Sequence, residues 1–188
     1  MHRRLALSAL AALAVASTAQ AQGATRPLAA GRQNLSGWLV LDPGSPSGIG
    51  LGARYMIPVV PRGLLAGHLR GIREELAIEV GGDFIHWGRD QVYLGNTYDF
   101  SVNAIEIVGG LMWNWWLTPS VALYPKLDLG YSYAWVTDWW GEPYGLGSPD
   151  YSDVFLNGAI GAIFRLDRVG LRLEIGSHAL RLGLGIEM

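Results

Sequence analysis

The sequence contains no cysteine, and its only lysine is Lys126. Without cysteine the chain can form no disulfide framework and offers no thiol for lipid attachment. The charged residues include no basic run or patch of the kind that binds nucleic acid. No metal-ligand spacing and no phosphate-binding loop is present, so we expect no cofactor.

The sequence also lacks an apolar run that would span a bilayer as a helix. Beyond the N-terminal segment, the one candidate for a spanning helix is the uncharged stretch between Glu106 and Lys126. Glycine and proline break it at Gly109-Gly110, Pro119 and Pro125, so a helix is not expected there.

The N-terminus has the three parts of a secretory signal peptide. Arg3 and Arg4 precede an apolar run over residues 5–16, and Ala19-Gln20-Ala21 forms a small-x-small cleavage site. The alternative, a permanent membrane anchor, is disfavoured because this run is too short to cross ~30 Å of hydrocarbon. We therefore predict that residues 1–21 are removed during export.

The remainder is predicted to be one domain with a short leader. Without Arg3 and Arg4 it carries 12 Lys and Arg against 16 Asp and Glu, a net charge of −4. Residues 22–34 have no periodicity and are predicted to be a disordered leader. Residues 35–188 are predicted to form the folded domain.

The clearest structural signal is strict alternation over residues 121–135, VALYPKLDLGYSYAW. Leu127, Leu129 and Tyr131 share one parity, whereas Lys126 and Asp128 share the other. A period of two indicates a β-strand. Fifteen residues at ~3.3 Å each rise roughly 50 Å, far more than an ordinary strand of ~5–6 residues.

Similar patterns predict eight strands in all. The number is even, as it is in bacterial outer-membrane barrels. The strands cover residues 35–41, 47–57, 75–84, 98–115, 121–135, 154–165, 171–175 and 180–188. A change of phase predicts a bulge near Asn103. Residues 60–73 are predicted to be a linker that could include one helical turn, and residues 88–97 and 138–152 are predicted to be outer loops.

Two all-β interpretations fit this pattern. A soluble periplasmic barrel that binds a ligand inside would bury the apolar parity, whereas an antiparallel up-and-down transmembrane β-barrel would turn it to lipid. The charged parity is rich in glycine and alanine, and large aromatics lie near strand ends, so we favour the transmembrane barrel. Its outer rim should be low at the short turns 42–46 and 176–178 and high elsewhere.

In such a barrel the charged parity faces a narrow lumen. Pooled over the strands, this parity carries nearly balanced charges: Arg54, Glu79, Asp83, Glu106, Lys126, Asp128, Arg165, Arg172, Glu174, Arg181 and Glu187. Isolated buried charges would cost several kcal/mol each, so we predict that these residues pair with one another. Because the interior of an eight-stranded barrel is about filled by side chains, we predict a plug of ion pairs.

The chain resembles the small eight-stranded outer-membrane barrels of the OmpA, OmpX and OmpW type. The resemblance rests on the signal peptide and on alternating strands such as IGLGARYMI, VALYPKLDLGYSYAW and ALRLGLGIEM. It implies a bacterial outer-membrane location, contact with outer-membrane lipid, and insertion by the barrel assembly machinery. Members of this group usually end in an aromatic residue, and Met188 departs from that pattern.

We predict a structural or surface-interaction protein, not an enzyme. One alternative is a lipid A acyl hydrolase or acyltransferase, for which Ser177-His178 with Glu174 are the candidate groups, although adjacent strand residues point to opposite faces. Another is a lateral passage for small apolar molecules over the low rim. Aromatic residues of the long loop, Trp139, Trp140, Tyr144 and Tyr151, could bind an extracellular glycan or protein or could extend the aromatic girdle.

Overall fold

The computed structural model describes residues 32–44, 47–61, 63–65, 73–93, 96–138 and 151–188. They form eight strands: β1 (Asn34–Asp42), β2 (Gly48–Val60), β3 (Arg73–Tyr93), β4 (Asn96–Thr118), β5 (Val121–Asp138), β6 (Tyr151–Leu166), β7 (Val169–Gly176) and β8 (Leu180–Glu187). Each strand pairs antiparallel with the next, and β1 pairs with β8, which closes the barrel. No helix among these residues is long and apolar enough to cross a membrane.

The pairing register fixes the tilt of the strands. Followed once around the barrel from partner to partner, the register returns to β1 about ten residues further along than it began. A stagger of this kind accompanies strands tilted by roughly 35–45° to the barrel axis. We call the end where β1 begins and β8 ends the lower end, and the opposite one the upper end.

The barrel is apolar outside and polar inside. On β5, Leu127 and Leu129 are 53% and 61% exposed, whereas Lys126 and Asp128 between them are only 5% and 2% exposed. The other strands continue this alternation around the wall. A soluble ligand-binding barrel would have the opposite arrangement, so that alternative is wrong and the fold is that of a transmembrane barrel.

Two groups of outward aromatic residues bound the apolar wall. Trp113 and Trp115 pack edge to face near the lower end, and Tyr133 and Trp135 stack near the upper end. Trp115 pairs with Leu123, and Tyr133 lies ten residues further along β5. Ten residues rise ~33 Å along the strand, which a tilt of ~35–45° reduces to ~25 Å of height. That matches the apolar band of ~25 Å on membrane barrels.

The upper rim is uneven, as the short and long connections predict. β7 and β8 have 8 residues each and turn at Ser177-His178, where the Gly176 N–H donates to the Ala179 carbonyl at 2.8 Å. By contrast, β3 and β4 have 21 and 23 residues. The wall is therefore low at β7 and β8 and high at β3 and β4.

The predicted bulge near Asn103 is wrong. β4 pairs without interruption past this residue, and Asn103 lies opposite Trp135. Val102, opposite Val136, belongs to the lumen-facing parity although it is apolar. The reason is its height: at the level of the upper aromatic residues an inward side chain no longer lies beside the polar network, so the polar-inside rule does not apply there.

Two predicted boundaries also differ, and a third prediction is mostly untested. Residues 88–97 were expected to be a loop, but β3 continues to Tyr93 and β4 starts at Asn96, so cross-strand pairing extends the hairpin. The predicted leader overlaps β1, because Asn34 already pairs with Met56 and Glu187. Most of the linker 60–73, including any helical turn, lies outside the described residues.

Candidate functional site: the ionic layer in the lumen

Eight buried ionic side chains meet in the middle of the lumen, and we call them the ionic layer. Four are cations and four are anions: Arg54, Lys126, Arg172 and Arg181, with Glu79, Asp83, Asp128 and Glu174. Their charges sum to zero, which is the balance that a group enclosed away from water requires.

Lys126 is the centre of the ionic layer. Its Nζ lies 2.7 Å from Glu79 Oε1, 3.1 Å from Asp128 Oδ2 and 3.3 Å from Glu174 Oε2. Glu79 in turn accepts a bond of 2.6 Å from Arg172 Nη1. One lysine from β5 therefore joins carboxylates of β3 and β7 across the lumen.

The ionic layer continues from Glu174 to the far side of the barrel. Arg181 lies 3.3 Å from Glu174 Oε1 and 3.3 Å from Asp83 Oδ2. Arg54 Nη2 lies 2.5 Å from the same Asp83 oxygen. Salt bridges thus connect all eight groups in one continuous network.

Neutral side chains complete the hydrogen bonding. The Tyr124 hydroxyl donates to Glu174 Oε2 at 3.2 Å, and the Asn157 amide donates to Asp128 Oδ2 at 3.4 Å. The Arg172 guanidinium donates to Ser36 Oγ at 3.2 Å and lies 4.6 Å from the centre of the Trp38 ring. These contacts hold the charged groups in fixed positions.

Glycines make room for the carboxylates of the ionic layer. A Cβ at Gly52 would lie 1.8 Å from Asp83 Oδ1, and one at Gly110 would lie 2.0 Å from Asp128 Oδ1. Since real Cβ atoms do not approach so closely, the side chains opposite could not keep these positions. The glycines at these two positions therefore reflect close approach to lumen side chains.

Apolar side chains cover the ionic layer above and below. The upper cap consists of Trp38, Val40, Ile85 and Ala179, with Trp87 packed against it. The lower cap consists of Met56, Ala77, Met112, Trp116, Ala122, Tyr124 and Ile163. Sequence reasoning missed both caps because their members share the parity of the charges, and only the fold brings them to the same height.

Three of the predicted lumen residues lie apart from the ionic layer. Arg165 and Glu187 form a salt bridge with each other near the lower end, and the Arg165 guanidinium lies 4.2 Å from the centre of the Trp116 ring. Glu106 is half-buried and forms no salt bridge with the described residues. The fold therefore divides the predicted set into a central group, a lower pair and one separate carboxylate.

Ser177 and His178 do not have the geometry of a nucleophile and its base. The Ser177 hydroxyl donates to Asn157 Oδ1 at 2.7 Å, and the His178 ring packs edge to face on Phe155. Glu174, the suggested third group, is buried in the ionic layer. In the predicted surface loop, Tyr151 is exposed and its hydroxyl donates to Asp153 at 3.2 Å, whereas Trp139, Trp140 and Tyr144 lie outside the described residues.

Comparison with known proteins finds similar barrels at low sequence identity. No family model matches the chain, and no curated protein matches it. Ail, the attachment invasion locus protein of Yersinia pestis, solved with the heparin analogue sucrose octasulfate, is 13% identical with a TM-score of 0.47, over 85% of this chain and 97% of that one. Neisserial surface protein A is 12% identical with a TM-score of 0.47, over 84% and 97% of the two chains. The N-terminal barrel domain of Pseudomonas aeruginosa OprF is 8% identical with a TM-score of 0.41, over 84% and 99%. These values describe overall shape, and no residue correspondence follows from them.

Proposed function

We propose that this protein is an exported barrel of the bacterial outer membrane whose lumen is sealed by the ionic layer, and that its role is structural or one of interaction at the cell surface. The observation that carries the proposal is the ionic layer: eight buried charges that sum to zero and are enclosed between two apolar caps. An open pore needs a continuous aqueous path, and here salt bridges and packed side chains occupy the lumen.

The uneven wall supports a surface role. From Phe84, which packs against Trp135 of the upper aromatic group, β3 continues nine residues to Tyr93. At ~3.3 Å per residue and a tilt of ~35–45°, this part rises ~20 Å above the apolar band. A partner outside the cell would meet this projecting wall first.

We infer a glycan or a protein as the external partner, because Trp139, Trp140, Tyr144 and Tyr151 supply aromatic faces and polar edges. The test compares the parent with a Trp139→Ala, Trp140→Ala double variant on a glycan array and in whole-cell adhesion. Reduced retention of one ligand by the double variant is expected. Equal retention by both proteins would contradict a binding role for these tryptophans.

An acyl-transfer role on lipid A has little support. The Ser177 hydroxyl already donates a hydrogen bond to Asn157 Oδ1, and the candidate base lies beside it in a two-residue turn. We expect Ser177→Ala to leave the lipid A acylation pattern unchanged in mass spectra of whole cells. A changed pattern would establish the enzyme instead.

Fractionation and conductance test the proposal itself. We expect the protein in the outer-membrane fraction, without residues 1–21, and with a folded band that shifts on a gel after boiling. In planar bilayers the refolded barrel should show no steady ion current. Recovery in the soluble periplasm would contradict the membrane location, and a stable open current would contradict the sealed lumen.

A further inference from the structure

The pairing between β4 and β5 has a gap in the lower half of the barrel. Their pairing runs to Met112 opposite Lys126 and resumes at Trp115 opposite Leu123, which leaves two residue pairs unmatched. The same residues remain paired on their other sides, with β3 and with β6. Pro125 lies in this gap and has no N–H to donate, so one ladder bond cannot form there.

A shallow, open groove lies at this gap on the outer surface. Its volume is about 220 Å³, and Leu76, Leu111, Trp113, Pro125, Lys126 and Leu127 line it. Apart from Lys126, whose ammonium belongs to the ionic layer, the lining is apolar. Trp113 forms a fixed side, because its indole N–H donates to Glu74 Oε2 at 2.7 Å and its ring packs against Trp115.

The groove is closed towards the lumen. Asn114 and Tyr124, the inward residues at the gap, are 0% and 2% exposed and belong to the packed interior. The Asn114 side-chain amide donates a hydrogen bond of 3.2 Å to Glu75 Oε1, and the Tyr124 hydroxyl donates one to Glu174. The groove is therefore a recess in the outer wall and not a passage.

The position of the groove determines what fills it. It begins at Trp113 of the lower aromatic residues, lies within the apolar band and is continuous with the lipid-facing wall. An empty recess would forfeit the dispersion contacts of its lining. We propose that the groove retains one acyl chain of a phospholipid from the leaflet at the lower end.

This inference rests on the proposed membrane location, and photo-crosslinking can test the two separately. The full barrel is reconstituted in phosphatidylcholine vesicles that contain a phospholipid with a diazirine on its acyl chain, and adducts are mapped by mass spectrometry. Leu127 in the groove is compared with Leu184 on β8, at the opposite side of the barrel in the same lower half. Their exposures, 53% and 64%, are similar.

We expect several-fold more adducts at Leu127 than at Leu184. Leu111→Trp, which fills the groove, should abolish this excess, whereas Leu184→Trp should not; a gel shift on boiling confirms that both variants are folded. Equal yields at the two leucines would contradict the retention of an acyl chain in the groove, while leaving the membrane location intact. An absence of adducts at both would overturn the membrane location, and the groove proposal with it.

Discussion

Replacing Lys126 with methionine is the sharpest test of the ionic layer. The ammonium lies within 3.3 Å of three carboxylates, those of Glu79, Asp128 and Glu174. At an effective dielectric constant of ~20, each contact is a gross attraction of about 5 kcal/mol, most of which desolvation offsets. Removing one partner of a buried ion pair typically costs ~3–5 kcal/mol, and we expect a loss of that size here.

The salt bridges also predict which second change rescues the variant. Without Lys126, Glu79 still contacts Arg172 and Glu174 still contacts Arg181, but Asp128 keeps only the Asn157 amide. Lys126→Met combined with Asp128→Asn restores neutrality and leaves every remaining carboxylate with a cation. The double variant should therefore be more stable than the single one.

Urea unfolding in lipid vesicles, followed by tryptophan fluorescence, measures these free energies. Arg168→Met is the matched control: it removes a cation from an exposed turn and should change stability by no more than ~0.5 kcal/mol. A Lys126→Met barrel as stable as the control, or a double variant weaker than the single one, would refute the reasoning.

Two further predictions use the same assay. Gly52→Val should destabilise the barrel by roughly 1–3 kcal/mol, because the new side chain would overlap Asp83. Gly37→Val is the control, since no atom lies within 4 Å of the position that a Cβ would take there. Equal effects of the two substitutions would contradict close packing at Gly52. Glu106→Gln should cost little or should stabilise, because this carboxylate lacks a salt bridge with the described residues. Glu79→Gln should be strongly destabilising, because Glu79 pairs with both Lys126 and Arg172. A reversed order would contradict the role of these two salt bridges.

The strands and the direction of their side chains could be predicted from the sequence because residues of a membrane barrel alternate within the bilayer. Apolar side chains face the lipid, and polar side chains face the lumen. Lys126 and Asp128 had to face away from Leu127 and Leu129. This alternation ends at the bilayer surface, where the apolar Val102 faces the lumen, and the resulting change of phase falsely indicates a bulge at Asn103.

The pairing within the lumen could not be predicted from the sequence. Alternation shows that Glu79, Glu106 and Arg165 face inward, but their heights depend on the stagger of the closed barrel. That stagger places Glu79 beside Lys126 and Arg172, and it leaves Arg165 near the lower end with Glu187. The same dependence hid the apolar caps, whose members lie far apart in the chain.

The groove at Pro125 could not be predicted from the sequence either. The sequence places a proline in the middle of a long strand, and a closed sheet has no edge at which to accommodate it. Only the register shows that the missing N–H opens the β4 side of the strand while the β6 side stays paired.

The orientation of the wall is the central claim, and spin labelling along β5 tests it most directly. Because the chain has no cysteine, single cysteines at residues 121–135 can each carry a nitroxide in reconstituted vesicles. The odd positions between the aromatic groups should collide readily with oxygen dissolved in the bilayer, and the even positions should be shielded from both oxygen and a water-soluble nickel chelate. Odd positions shielded from oxygen, with even positions open to the chelate, would contradict a barrel that is apolar outside and ionic inside.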